Sequence, residues 1–224
     1  MNYIQANWSA PTNIKAYTTL RSGWRDQQPL ATCLLVPAEP IWIKQTHGIC
    51  VVKAVPENNG READAVFTNE PHQVCAVTTA DCLPLLICHR QGSCVAAIHA
   101  GWRGLAAGII EATLDQLQQS GEDLLVWMGP AIGPEKFEVG QDVYDAFTSQ
   151  HSQSVRAFIP NHRGQWFANL YELAKIRLKL RGVTQVVGGH FCTYTQQDLF
   201  FSYRRDKGTT GRMASMIWIE NDHS

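Results

Sequence analysis

The 224-residue chain has no Cys-x-x-Cys pair, no His-x-His pair and no apolar run long enough to cross a bilayer. Its densest apolar stretch, 74–88, is broken by Thr78, Thr79, Asp81 and Pro84. That is well short of the ~18–20 apolar residues a span needs, so no membrane partner is expected. Neither sign of charge is in excess. Nineteen Lys+Arg against 20 Asp+Glu leave a net charge of -1, which gives no general electrostatic footprint for nucleic acid. The opening MNYIQANWSAP lacks the basic head and apolar segment of a secretory signal, and low-complexity stretches, long linkers and internal repeats are missing too.

What is present is globular. The chain is 45% hydrophobic and 17% charged, enough apolar material for one large core and unlike a disordered, collagen-like or small disulfide-held chain. At ~100–200 residues per domain, a single domain over 1–224 is expected. The seven cysteines (33, 50, 75, 82, 88, 94 and 192) form an odd set, several inside apolar runs where cysteine behaves as a small hydrophobe. A reduced, cytoplasmic protein with mostly packing cysteines is the expectation.

Periodicity predicts strands at 41–43, 50–55, 74–79, 83–88, 94–99, 124–128, 183–187 and 214–219. Helices are predicted over 105–119, with apolar residues at 105, 109, 110, 114 and 117, and over 141–147 and 169–180. The last has Leu170, Leu173, Ile176 and Leu180 on one face and basic residues before Gly182. Strands and helices interleave but hairpins also occur, which favours an α+β fold, a mixed-sheet α/β sandwich, over a doubly wound parallel sheet.

Three polar residues fall where predicted strands end. His47 lies in Lys44-Gln45-Thr46-His47-Gly48, Cys82 in the polar break Thr78–Pro84, and His99 closes Val95-Ala96-Ala97-Ile98-His99. Two imidazoles and a thiolate suit a borderline metal such as zinc and leave a fourth position for water or substrate, the pattern of a catalytic site. The separations of 35 and 17 positions do not demand this. A buried Cys82 with two hydrogen-bonded histidines, or a Cys–His nucleophile pair, fits the same residues. Gly101-Trp102-Arg103-Gly104 follows a predicted strand and opens a predicted helix; it fits an anion seat to which Arg103 could add a guanidinium fork, and equally a glycine-rich turn that packs tightly and leaves the arginine exposed. Arg204, Arg205 and Lys207, with Arg212 just beyond, mark a second candidate anion contact, or a solvated loop. His190 and Cys192 make a further His/Cys pair that nothing in the sequence connects to His47.

Five stretches occur in order: Lys44–Gly48, Thr79–Pro84, Ala97–Gly104, Gly129–Pro134 and Phe201–Asp206. Together they resemble the laccase-domain family, also called multi-copper polyphenol oxidases and described as purine nucleoside phosphorylases. The resemblance runs from about residue 41 to 219. It implies a catalytic zinc on His47, Cys82 and His99. From its adjacency to Cys82, Asp81 is expected to be a further catalytic residue, and Lys44, Arg103, Arg204 and Arg205 are expected to contact the substrate. The resemblance also implies purine nucleosides and phosphate as partners: phosphorolysis of adenosine, inosine and methylthioadenosine, together with adenosine deamination. A homodimer is compatible with it. Two positions depart from the family pattern: Glu135-Lys136-Phe137 replaces a cysteine and tyrosine, and Asn169 stands where an Asp is expected.

Copper is the less favoured metal. A trinuclear cluster plus a blue-copper site would take more histidines than the eight present, and no methionine (1, 128, 213, 216) is an evident axial ligand. Weak copper-dependent polyphenol oxidation is one alternative. A Cys82-dependent amide hydrolase, of the peptidoglycan-precursor editing kind attributed to some family members, is another.

Overall fold

The computed structural model describes residues 2–24, 28–32, 34 and 36–221. Cys33 and His223 lie outside the described residues. At the centre is a six-stranded mixed sheet ordered β12-β8-β6-β7-β4-β3. Its strands are β3 (Val51–Lys53), β4 (Ala65–Thr68), β6 (Leu83–His89), β7 (Val95–Ala100), β8 (Leu124–Met128) and β12 (Gln185–Gly188). The β3/β4 and β12/β8 pairs are parallel and the others antiparallel. A second sheet, β1 (Tyr3–Gln5), β2 (Ile14–Thr19), β13 (Met213–Ile219) and β5 (Cys75–Thr79), is antiparallel throughout. A small third sheet joins β9 (Glu138–Val139), β10 (Phe158–Pro160) and β11 (Trp166–Ala168).

The layering follows from which side chains each strand buries. On β6, Leu83, Leu85 and Ile87 pack with helical Leu105, Ile109, Leu114 and Leu173. Leu86 and Cys88, on the other face, pack with Val77, Ile217 and Ile219 of the second sheet. Central strands flanked by apolar layers on both sides have no polar face, which is why 83–88 reads as an unbroken apolar run. Each such Leu or Ile contributes roughly 1.5–3 kcal/mol by removal from water. The outer face of the second sheet is covered by Trp24 and Leu30 against Val74, Ala76, Met216 and Trp218. The result is the α+β sandwich expected from the sequence.

Two predicted elements are corrected. The helix predicted over 105–119 is two helices, α1 (Trp102–Ala107) and α2 (Ile109–Leu117), because Gly108 turns left-handed at φ 108 between them. The apolar stripe survives because both pieces face the same core. The strand predicted at 41–43 is reduced to isolated bridges, Ile41 to Cys75 and Lys44 to Glu62. The strands β1, β2, β4, β9, β10 and β11 lie outside the predicted elements, although β2 buries Ile14, Ala16 and Thr18 in alternation. The remaining helices, α3 (Gln141–Thr148) and α4 (Leu170–Leu180), fall where predicted. Asn169 caps α4, its side chain accepting from the Glu172 amide at 3.1 Å. Asn and Asp are equivalent there, so this departure from the family pattern is structurally neutral.

Candidate metal centre and its cleft

Strand register creates the site. Ala65 pairs with Ile98 in the antiparallel β4/β7 ladder, so Asp64 and His99 are the next residues across from one another. The His99 amide donates to the Asp64 carbonyl at 2.7 Å, and its ring Nδ1 lies 2.8 Å from Asp64 Oδ1. Asp64 is fully buried. Its remaining bonds reach the turn that carries His47: the amides of His47 (2.9 Å) and Gly48 (2.7 Å), and the amide and hydroxyl of Thr46 (3.2 and 3.1 Å). His47 itself sits at φ 61, a left-handed conformation that a non-glycine residue holds only when its surroundings fix it. Gln45 pins the near end of the turn, exchanging bonds of 2.8 Å with both backbone groups of Thr78 in β5.

Cys82 lies in the turn from β5 to β6, and His99 near the end of β7, with Pro84 and His99 paired in the ladder. The candidate donor atoms of His47, Cys82 and His99 all lie within 4.8 Å of one another. The two imidazoles meet edge to face at 4.7 Å. Gly101 makes room for them: a Cβ there would lie 2.6 Å from His47 Nδ1 and 3.1 Å from Cys82 Sγ. Gly104 likewise lets α1 press on the turn, since its Cβ would meet the Gly48 carbonyl at 2.7 Å. Both glycines of Gly101-Trp102-Arg103-Gly104 therefore serve close packing around the donor set.

The electrostatics favour a cation at this point. Burial pushes His99 down, but the Asp64 carboxylate and the Cys82 sulfur outweigh it and hold the imidazole up to about 9. Burial raises Asp64, yet the His99 bond and the amides of Gly48 and Thr46 bring it below the usual carboxylate range. Burial, the His99 charge and the nearby Arg103 and Arg212 lower His47 despite the opposing pull of Asp64. With Nδ1 of His99 on Asp64, its Nε2 is the nitrogen left for a metal, the carboxylate–histidine arrangement that orients metal ligands. A tetrahedral ion with bonds of ~2.0–2.3 Å separates its donors by about 3.3–3.6 Å, within reach of small side-chain rotations. The residues present fit such an ion, and all three would hold it in the lining of one cleft.

That cleft has a volume of about 580 Å³ and is lined by all three donors and by Trp102, Phe137, Tyr203, Arg103, Arg204 and Arg212, among others. Arg103 lies over the Trp102 ring at 4.4 Å, and Arg204 over Phe137 at 5.6 Å. Asp81, at φ 92, lines the cleft too. Its oxygens accept from the Thr193 hydroxyl (2.6 Å), the Ser202 hydroxyl (3.0 Å) and the Arg204 amide (2.7 Å). It thereby fastens the arginine-bearing loop to the turn that holds Cys82.

Two predicted substrate contacts lie elsewhere. Arg205 turns inward, donating to the carbonyls of Thr193 (2.7 Å), Tyr194 (3.3 Å) and Phe200 (3.0 Å) and pairing with Asp206, so it holds the loop together. Lys44 is exposed and pairs with Glu62 at 2.6 Å, away from the cleft lining. Cys192 is likewise outside it, its sulfur accepting from the Gly133 amide at 3.2 Å, and His190 is exposed against Phe191. Sequence reasoning missed Asp64 and noted Arg212 only in passing. The signal for Asp64 was an acid embedded in Ala63-Asp64-Ala65-Val66, since a charge among small apolar residues implies a buried partner.

A family model, multi-copper polyphenol oxidoreductase laccase, matches residues 24–220. The chain belongs to that family. A purine nucleoside phosphorylase of Pseudomonas aeruginosa is 44% identical, over 98% of this chain and 99% of the relative. The Escherichia coli purine nucleoside phosphorylase YfiH is 51% identical over 82% of this chain and 75% of its own length. A Neisseria meningitidis protein assigned to family DUF152 superposes with a TM-score of 0.89 at 39% identity, covering 99% of this chain and all of its own. The resemblance read from the sequence is thus borne out at the level of family and fold. No helix of the described residues is long and apolar enough to cross a membrane.

Proposed function

We propose that this chain is a zinc-dependent purine nucleoside phosphorylase acting on adenosine, inosine and methylthioadenosine, with adenosine deaminase activity at the same centre. The observation that carries the reading is the convergence of His47, Cys82 and His99 in the lining of a cleft shared with Arg103, Arg204 and Arg212. The names of the relatives point the same way. In phosphorolysis a phosphate oxygen bonds to C1′ of the ribose, while the glycosidic bond leaves with its electron pair on the base, which takes up a proton. Deamination adds water at C6 and releases ammonia.

The chain's residues divide this work. Arg103, Arg204 and Arg212 would hold the phosphate by charge-assisted bonds, Arg103 and Arg204 each steadied on an aromatic ring. Two imidazoles and one thiolate choose zinc over harder ions, and zinc when bound supplies Lewis acidity and an acidified water. Asp64 keeps the His99 ring in one orientation and one tautomer. Asp81, its oxygens already engaged, acts as a positioning residue and not as a proton carrier.

The test is metal content of the purified protein alongside release of adenine or hypoxanthine from nucleoside, with and without phosphate. About one zinc per chain and phosphate-dependent release are expected; absence of metal with base release unaffected by chelator would refute the reading. Arg103→Ala should raise the KM for phosphate more than it slows deamination. The Cys82–His99 contact also suits a thiol nucleophile, as in amide hydrolysis. That chemistry would be blocked by alkylation and indifferent to a chelator.

A further inference from the structure

Among the described residues, Trp102, Phe137 and Tyr203 are the large aromatic side chains in the lining of the metal cleft. Two of them are covered: Arg103 lies over the Trp102 ring, and Arg204 over Phe137, which is itself buried. Tyr203 is 56% exposed. Resting on the nucleoside reading above, we infer that Tyr203 is the platform on which the purine base stacks.

The ring is held in place before any ligand arrives. Its two chain neighbours are fastened to one oxygen: the Ser202 hydroxyl donates to Asp81 Oδ2 at 3.0 Å, and the Arg204 amide to the same atom at 2.7 Å. Asp81 directly precedes Cys82, so a single residue joins the loop of Tyr203 to a candidate metal donor. Gly208 supports the ring from behind. A Cβ at 208 would lie 3.4 Å from Tyr203 Cζ, 3.4 Å from its hydroxyl oxygen and 3.5 Å from Cε2. Distances so nearly equal put residue 208 against a face of the ring and not its rim. Gly208 sits at φ 90, where glycine is unstrained, and its amide donates to the Tyr203 carbonyl at 2.9 Å. An aromatic ring fixed in this way loses little freedom when a ligand settles on its open face.

The cleft volume of about 580 Å³ is that of a site for one small molecule, so Tyr203 and the donor set face the same ligand. A purine is a planar π-system without charge, and stacking on an aromatic ring tolerates any base. Stacking fixes the plane of the base and leaves its rotation within that plane free. From one platform, either the edge carrying C6 or the edge carrying N9 and C1′ can be turned to the donors. A single centre that serves both deamination and phosphorolysis requires that freedom. The same contact makes no distinction between adenine and hypoxanthine.

The experiment uses the full chain loaded with zinc and the free bases adenine and hypoxanthine as probes, with affinity read by calorimetry and metal content checked in every variant. Tyr203→Ala should weaken both bases about tenfold or more, and Tyr203→Phe should recover most of that loss. Inorganic phosphate should bind Tyr203→Ala as it binds the unaltered protein. With adenosine as substrate, Tyr203→Ala should raise KM by a similar factor in deamination and in phosphorolysis. Unchanged adenine affinity in Tyr203→Ala would overturn the platform. So would a Tyr203→Phe variant as impaired as Tyr203→Ala, or a loss of phosphate affinity equal to that of adenine. Adenine held through Tyr203 by a protein that releases no base from nucleosides would instead bring down the phosphorylase reading and leave the platform standing.

Discussion

Asp64, buried behind the candidate donors, and Asp81, on the cleft wall, do the same physical thing, and the difference between them separates the geometry of the candidate donors from that of the arginine-bearing wall. Each is a carboxylate that gathers donors from segments distant in sequence. Asp64 is fully buried and collects both histidine-bearing segments, the 46–48 turn and the end of β7. Asp81 is only half-buried and collects loop segments, Thr193 and the 202–204 stretch. The first fixes two candidate metal donors relative to one another. The second fixes the wall that carries Arg204. A rigid floor and a tied-down rim are thus built by separate hubs.

That division can be broken experimentally, beginning with the largest effect. Asp64→Asn should weaken zinc binding about 10–100-fold in a chelator competition, the range for loss of a carboxylate behind a ligating histidine. Asp81→Asn should leave zinc affinity within about threefold while raising the KM for phosphate. If Asp81→Asn loses metal as severely as Asp64→Asn, the two hubs are one network and the comparison fails. Arg205→Ala removes several buried bonds of the rim loop. A loss of about 2 kcal/mol would lower Tm by about 4–8 °C in a chain of this size, with metal content unchanged.

The pH dependence sharpens the same contrast. His99 is held up to about 9 by Asp64 and Cys82. Its stabilising contribution without metal is fully present below the ordinary histidine range and is lost as pH rises through about 9. Because a metal must displace that proton, apparent zinc affinity should climb with pH and level off only above about 9. In Asp64→Asn the plateau should begin closer to neutrality. A flat profile between pH 7 and 9 in the unaltered protein would contradict the role given to Asp64. The smallest effect is expected from Lys44→Ala: no measurable change in kcat or KM, since the ammonium is exposed and engaged with Glu62.

The sequence was most legible where local pattern and chemistry coincide. His47, Cys82 and His99 stood out because each is a metal-binding type at the end of an apolar run, and the sheet brings those ends together. The central strands were readable for a related reason, being apolar on both faces. Asp64 was not, since its partners lie 16–18 and 35 positions away and only the β4/β7 register sets it against His99. Arg204 and Arg205 are neighbours of the same type, and nothing local tells which one faces the cleft. The loop fold decides, by surrounding Arg205 with the carbonyls of Thr193, Tyr194 and Phe200. The break at Gly108 was hidden because the apolar stripe continues through it.

The central claim is tested most directly by X-ray absorption at the zinc edge on the purified protein and on Cys82→Ala. The account predicts a first shell of two nitrogens at ~2.0 Å, one sulfur at ~2.3 Å and one light atom from solvent, and loss of zinc in the variant. A spectrum without sulfur, or full zinc retention in Cys82→Ala, would contradict it.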